Sequence, residues 1–95
     1  MYYDQKECGR RIADLRKQKG MTQDQLAEKL NLSYSMMTKI ETGFKGISID
    51  LLIELSVLFD VSMEYIILGC DLYRDKLKEQ LALMKEQFLT FEKTL

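Results

Sequence analysis

Within the ten residues from Ser33 to Thr42 the chain places four short hydroxyls, Ser33, Ser35, Thr38 and Thr42, with the phenol of Tyr34 and the cation of Lys39. Serine or cysteine nucleophiles need an adjacent base, and this chain contains no histidine. Serine–histidine and cysteine–histidine catalysis are therefore excluded. Hydroxyls suit a different task, because each can donate or accept at a base edge or a phosphate, and a lysine reaches guanine O6 and N7 or a phosphate. The two cysteines, Cys8 and Cys70, are far apart, and a zinc site needs about four ligands at set spacings. Each cysteine reads as a small, buried or half-buried hydrophobe. No metal, no cofactor and no enzymatic activity are expected.

Whether these groups can be presented together depends on the helix beneath them. At 100° per residue, Met36, Met37, Ile40 and Glu41 fall on one side of a helix capped by Ser33, and Ser35, Thr38, Lys39 and Thr42 on the other. An outward stripe of short hydroxyls is unusual, since solubilising surface favours Glu and Lys. Just upstream, Thr22-Gln23-Asp24-Gln25 has the capping-box pattern, with Leu26, Ala27 and Leu30 as the apolar side of the helix that follows. Asn31, a residue tolerant of left-handed geometry, ends it. Two short helices separated by so tight a turn have the spacing of a helix-turn-helix, whose second helix lies in a DNA major groove. Glu41 sits on the apolar side, where a carboxylate is expensive unless paired. Arg16, one turn from Ile12 on the inward edge of the first helix, is its expected partner.

The remaining elements are marked by similar signals. A first helix is predicted over Lys6 to Lys19, with Cys8, Ile12 and Leu15 inward and Gly20 ending it. Ser48 caps a fourth helix that buries Leu51, Leu52, Leu55 and Leu58. Ser62 caps a fifth that buries Tyr65 and Ile66 and stops at Gly69. Four hydroxyl caps, each followed by an apolar-periodic segment, in a chain with no proline and five glycines, give an all-α fold. From Leu72 onward, Leu77, Leu81, Met84, Phe88, Phe91 and Leu95 follow the 4-3 spacing of a coiled-coil seam. This segment is expected to pair with a second copy; folding back on its own domain is the alternative. Lys78, Lys85 and Glu92 beside the seam do not fix parallel or antiparallel pairing. The expected division is a domain at 6–69 and an amphipathic dimerisation helix at 70–95, too short for a ligand-sensing fold.

Net charge is −1, but it is unevenly placed. Residues 1–47 carry nine Lys or Arg against six Asp or Glu; residues 48–95 carry five against nine. One basic face and one acidic end are the expected result. The opening Met1-Tyr2-Tyr3-Asp4 lacks the apolar core of a signal peptide, and the apolar run Tyr65 to Leu68 is far short of the roughly 20 residues of a membrane span. A cytoplasmic protein with no membrane association is expected.

Residues 9 to 69 resemble the lambda-repressor-like, or XRE, helix-turn-helix family. The likeness rests on Arg11-Ile12-Ala13-Asp14-Leu15-Arg16-Lys17-Gln18-Lys19-Gly20-Met21-Thr22-Gln23, then Leu26-Ala27-Glu28-Lys29-Leu30, Ile40-Glu41-Thr42-Gly43 and Val61-Ser62-Met63-Glu64-Tyr65-Ile66. It implies a five-helix lambda-repressor-like DNA-binding domain, here with an added C-terminal helix. Gln23 matches the family glutamine that contacts a phosphate, a contact that the positive end of a helix also favours. Tyr34, Ser35 and Lys39 match base-reading positions, with Thr38 nearby. Thr42 and the loop at Phe44 and Lys45 match backbone-contacting positions, and Arg16 with Glu41 matches an interior ion pair. The DNA-facing set is then Thr22, Gln23, Ser33, Tyr34, Ser35, Thr38, Lys39, Thr42 and Lys45. Tyr34 and Met36 are bulkier than the residues common at their positions, so the family's base preferences do not transfer. Asn31 and Asp60 stand where glycine is frequent, and Phe44 replaces a polar residue. The expected function is a homodimeric transcriptional regulator, a repressor by preference, reading a near-palindromic operator. The alternative is an antitoxin-type module that binds a protein partner.

Overall fold

Each of the first five helices begins at a side chain that closes its own first turn. In the computed structural model, which describes residues 3–70 and 72–94 (72–74 and 91–94 as backbone only), these are α1 Gln5–Gln18, α2 Gln23–Lys29, α3 Tyr34–Glu41, α4 Ile49–Phe59 and α5 Met63–Leu68, followed by α6 Leu72–Thr94. The Asp4 carboxylate accepts from the amides of Lys6 and Glu7 at 3.0 and 3.1 Å. That bond starts α1 one residue earlier than the apolar pattern indicates. Thr22 and Gln25 form a complete capping box, and Ser33, Ser48 and Ser62 each accept from the third amide of their helix. Caps of this kind contribute about 1 kcal/mol apiece. They matter most for α2, α3 and α5, which have 7, 8 and 6 residues and are too short to be helical alone. Asn31 and Asp60 turn the chain at φ 56° and 53°, left-handed positions that short polar side chains tolerate.

Cys8, Ile12 and Leu15 of α1 meet Leu26, Ala27 and Leu30 beside α2, Met37 and Ile40 of α3, Leu51, Leu52, Leu55 and Phe59 of α4, and Ile66 of α5. Leu58 and Tyr65, both predicted inside, are only half-buried, and Phe59 takes the inner place. The reason is rotational. Residues 51, 52, 55 and 59 share one helical stripe, and 58 lies at its edge. Arg11 ties the two ends of the core together, donating from Nε to the Ile66 carbonyl at 3.0 Å and from Nη2 to that of Ile67 at 2.7 Å. Those carbonyls end α5 and have no partner within the helix.

Helix α6 has 23 residues, about 34 Å at 1.5 Å each. Every residue from 75 to 90 is exposed, including the seam residues Leu77, Leu81, Met84 and Phe88. The described part of the seam is therefore not folded back on the core. Phe91 and Leu95, its last two predicted members, lie outside the described side chains. Among the described residues there is no strand, and no helix is long and apolar enough to cross a membrane.

Candidate nucleic-acid interface

The turn between α2 and α3 is held by its backbone. The Leu30 and Asn31 amides bond back to Leu26 and Glu28, and the Leu32 amide donates to the Ala27 carbonyl at 2.8 Å. Helix α3 then buries Met37 and Ile40 against the core, with Met36 half-buried beside them. That packing fixes its rotation and leaves Tyr34, Ser35, Lys39 and Thr42 exposed. Tyr34 is 56% exposed, so the phenol is not packed away at the helix corner.

Thr38 departs from the expected outward stripe. It is half-buried, and its Oγ1 lies 3.1 Å from the Tyr34 carbonyl and 3.4 Å from Gln23 Oε1. The Thr42 hydroxyl donates to the carbonyl of Thr38 at 2.9 Å. A hydroxyl has one proton, so both threonines donate within the protein and offer a ligand only lone pairs and a methyl group. The outward donors of α3 are Ser33, Tyr34, Ser35 and Lys39. The wheel places a side chain on a face but cannot show that its proton is already engaged.

Beneath α3 lies a buried polar cluster. Arg16 Nε and Nη2 donate to the two oxygens of Glu41 at 2.7 and 3.1 Å, and Nη1 donates to the Met21 carbonyl at 2.8 Å. The two side chains are 11% and 5% exposed. Gln23 joins the pair, its Nε2 donating to Glu41 Oε1 at 2.9 Å. Sequence reasoning placed Gln23 at the start of α2 and missed that it touches Glu41, 18 residues on. No local signal encodes that contact. Among the described residues every buried side-chain nitrogen and oxygen has a partner.

The loop after α3 is fixed to the start of α1. Gln5 Nε2 donates to the Gly43 carbonyl at 2.8 Å, and the Lys45 amide donates to that of Lys39 at 3.0 Å. Gly43 has φ 80°, and a methyl there would lie 2.5 Å from the Cα of Lys6, so only glycine fits. Phe44 and Lys45 project from this loop into solvent. Among the described residues neither Lys39 nor Lys45 forms an ion pair, whereas the exposed Arg10 is held by Glu7 and Asp14 at 2.7 and 3.0 Å. Thr22 and Ser33 stand at the exposed starts of α2 and α3 with their hydroxyl oxygens accepting cap bonds. Among the described residues no group of acidic or cysteine side chains can hold a metal ion.

Two capped helices crossed over a buried ion pair, the second presenting an exposed polar face, define a helix-turn-helix protein of the lambda-repressor-like, XRE type. The chain belongs to that helix-turn-helix family (HTH_3), whose sequence profile matches residues 12–66. It is 34% identical over 59 residues to the HTH-type transcriptional regulator ImmR of Bacillus subtilis (strain 168), a match spanning 62% of this chain and 46% of that regulator. The restriction-modification controller protein C.AhdI from Aeromonas hydrophila superposes with a TM-score of 0.61 at 26% identity, over 67% of this chain and 97% of that one. SinR, a master regulator for biofilm formation solved in complex with DNA, matches at 35% identity and a TM-score of 0.57, over 62% of this chain and 95% of its own. A structure of a SinR–SinI complex matches over 90% of this chain and 94% of that chain, with 28% identity and a TM-score of 0.58. Residues 1–69 alone cannot supply that coverage, so the likeness reaches into α6.

Proposed function

We propose that this chain is a sequence-specific, double-stranded DNA-binding transcriptional regulator that acts in the cytoplasm as a homodimer. Helix α3 enters the major groove with Tyr34, Ser35 and Lys39 at base edges and the methyls of Thr38 and Thr42 near thymine methyls. Gln23, Lys45 and the amide-rich starts of α2 and α3 take backbone phosphates. The observation that carries this reading is the pair of exposed cations, Lys39 and Lys45, unpaired among the described residues, on a face braced by the buried Arg16–Glu41 pair. The DNA complex of SinR supports it. With α6 joining two copies, the two α3 helices face successive major grooves about 34 Å apart and read a near-palindromic site, most simply as a repressor. Selection of duplexes from a random pool tests this. A recurrent, near-palindromic motif whose affinity falls steeply with salt is expected; no enrichment, or affinity indifferent to salt, rules the reading out.

A second reading has one observation in its favour. The apolar seam of α6 is exposed in the single chain, and the likeness to the SinR–SinI complex extends into α6. A protein partner, of antitoxin type or otherwise, would then occupy this seam. A purified chain that stays monomeric favours this reading over the homodimer.

A further inference from the structure

Gln23 has one amide group, and one of its two polar neighbours decides which way it faces. Glu41 is a carboxylate and can only accept, so the Gln23 Nε2 at 2.9 Å must donate to it. The other end of the amide, Oε1, lies 3.4 Å from the Thr38 hydroxyl, a group able to donate. Glu41 sets the orientation, nitrogen toward Glu41 and oxygen toward Thr38, whose hydroxyl can donate or accept and whose one proton lies nearer the Tyr34 carbonyl at 3.1 Å. An amide nitrogen carries two hydrogens, and Glu41 accepts one. Glu41 cannot swing away, because Arg16 holds both its oxygens and its side chain is 5% exposed.

We infer that Glu41 is a positioning residue for DNA binding: it fixes the Gln23 amide so that its second N–H is presented to a backbone phosphate at the start of α2. This rests on the DNA-binding reading above. Without the carboxylate the amide can flip by 180°, which would turn Oε1, a pure acceptor, toward the phosphate and replace attraction by repulsion. The buried pair then has a role at the DNA surface besides holding α1 to α3. Arg16 completes it by clamping Glu41.

A double-mutant cycle on the full chain tests this, with duplex affinity measured for Gln23→Ala, Glu41→Gln and the pair at a temperature where circular dichroism shows each folded. Glu41→Gln is expected to weaken binding about as much as Gln23→Ala, roughly three- to tenfold and equally for all duplexes. In the Gln23→Ala background it should add less than about twofold. Independent, multiplying effects, or a folded Glu41→Gln chain with full affinity, overturn the inference. The wild-type chain gives a readout that does not depend on any variant folding. In nitrogen-15 NMR spectra the two Gln23 Nε2 protons should be distinct, with the Glu41-side proton protected from exchange before and after duplex is added. A freely exchanging proton on that side overturns the inference even if the DNA-binding reading holds. A wild-type chain that binds no duplex overturns both.

Discussion

Gly9 in α1 lies directly against the backbone at the end of α3: a methyl added there would collide with the Ile40 carbonyl oxygen and sit 2.8 Å from that of Glu41. No side chain separates the two helices at this crossing. Seven residues further along α1, about 10 Å, Arg16 reaches the Glu41 carboxylate. The backbone contact and the ion pair together set how α3 stands on the core, and hence which of its residues face outward.

Gly9→Ala is therefore expected to destabilise the fold, although alanine is the better helix former. Backbone cannot move aside as a flexible side chain can, and the cost should be about 1–3 kcal/mol, as for other overpacked sites. Urea unfolding checks this. A loss below about 0.5 kcal/mol would show that α1 and α3 can separate freely.

Removing the carboxylate at Glu41 strands Arg16 in the interior. Glu41→Ala should lower stability by about 3–5 kcal/mol, the usual consequence of breaking one side of a buried pair. Replacing both partners with apolar residues of similar size should cost much less, since no buried charge is then left alone. The two unfolding curves, compared directly, separate these cases; equal losses would contradict the assignment of the penalty to the stranded arginine.

Lys39 and Lys45 are both exposed and, among the described residues, unpaired, yet their positions predict different phenotypes. Lys45→Gln on the loop should weaken binding to every duplex alike and reduce the slope of log affinity against log salt by about one. Lys39→Gln on α3 should relax discrimination at one base pair by about 1–3 kcal/mol. Binding isotherms at three or more salt concentrations, on matched and singly altered duplexes, distinguish them. Identical behaviour of the two variants would mean that α3 does not lie in the groove.

What the sequence made legible follows from how local each signal is. Thr22, Ser33, Ser48 and Ser62 cap their helices within three residues of themselves, and Asn31 and Asp60 carry their own left-handed tolerance. Such features are written beside the structure they produce. Gln5 with Gly43, Arg11 with the end of α5, Gly9 with Ile40 and Gln23 with Glu41 are separated by 18 to 56 residues. Nothing in the neighbourhood of either partner marks them. Glu41 was readable as needing a cation because its burial conflicts with its charge. Thr38 was misplaced for the converse reason: its spacing fits the outer face, and only the third dimension shows its hydroxyl engaged.

Burial pushes the Cys8 thiol above its ordinary pKa, an effect only partly opposed by the nearby Arg11. A raised acid pKa means that the folded state favours the protonated thiol. This contribution to stability is whole below the unfolded thiol's pKa, about 8.5, and is lost as pH rises through the folded value. The unfolding midpoint should therefore fall, as pH rises above the unfolded thiol's pKa, more steeply in the wild type than in Cys8→Ala. Parallel profiles for the two chains would assign the alkaline loss to other groups. Cys70, which is not fully buried, should react with a thiol reagent at neutral pH well before Cys8.

The seam of α6 offers the sharpest separation of fold from assembly. Phe88 is 61% exposed and occupies an interior position of the 4-3 pattern, where a carboxylate would face its counterpart in a paired helix. Phe88→Asp should leave the thermal unfolding of the α1–α5 unit unchanged, because Phe88 is exposed and belongs neither to the core cluster nor to the apolar residues packed on it. The same change should shift sedimentation from dimer to monomer. Binding to a full near-palindrome should then fall by a factor of about 10² or more, since the second half-site loses the effective concentration that pairing provides. Binding to an isolated half-site should be unaltered. A variant that remains dimeric would place self-association elsewhere on the molecule, and a wild type already monomeric would leave the α6 seam to a partner of a different sequence.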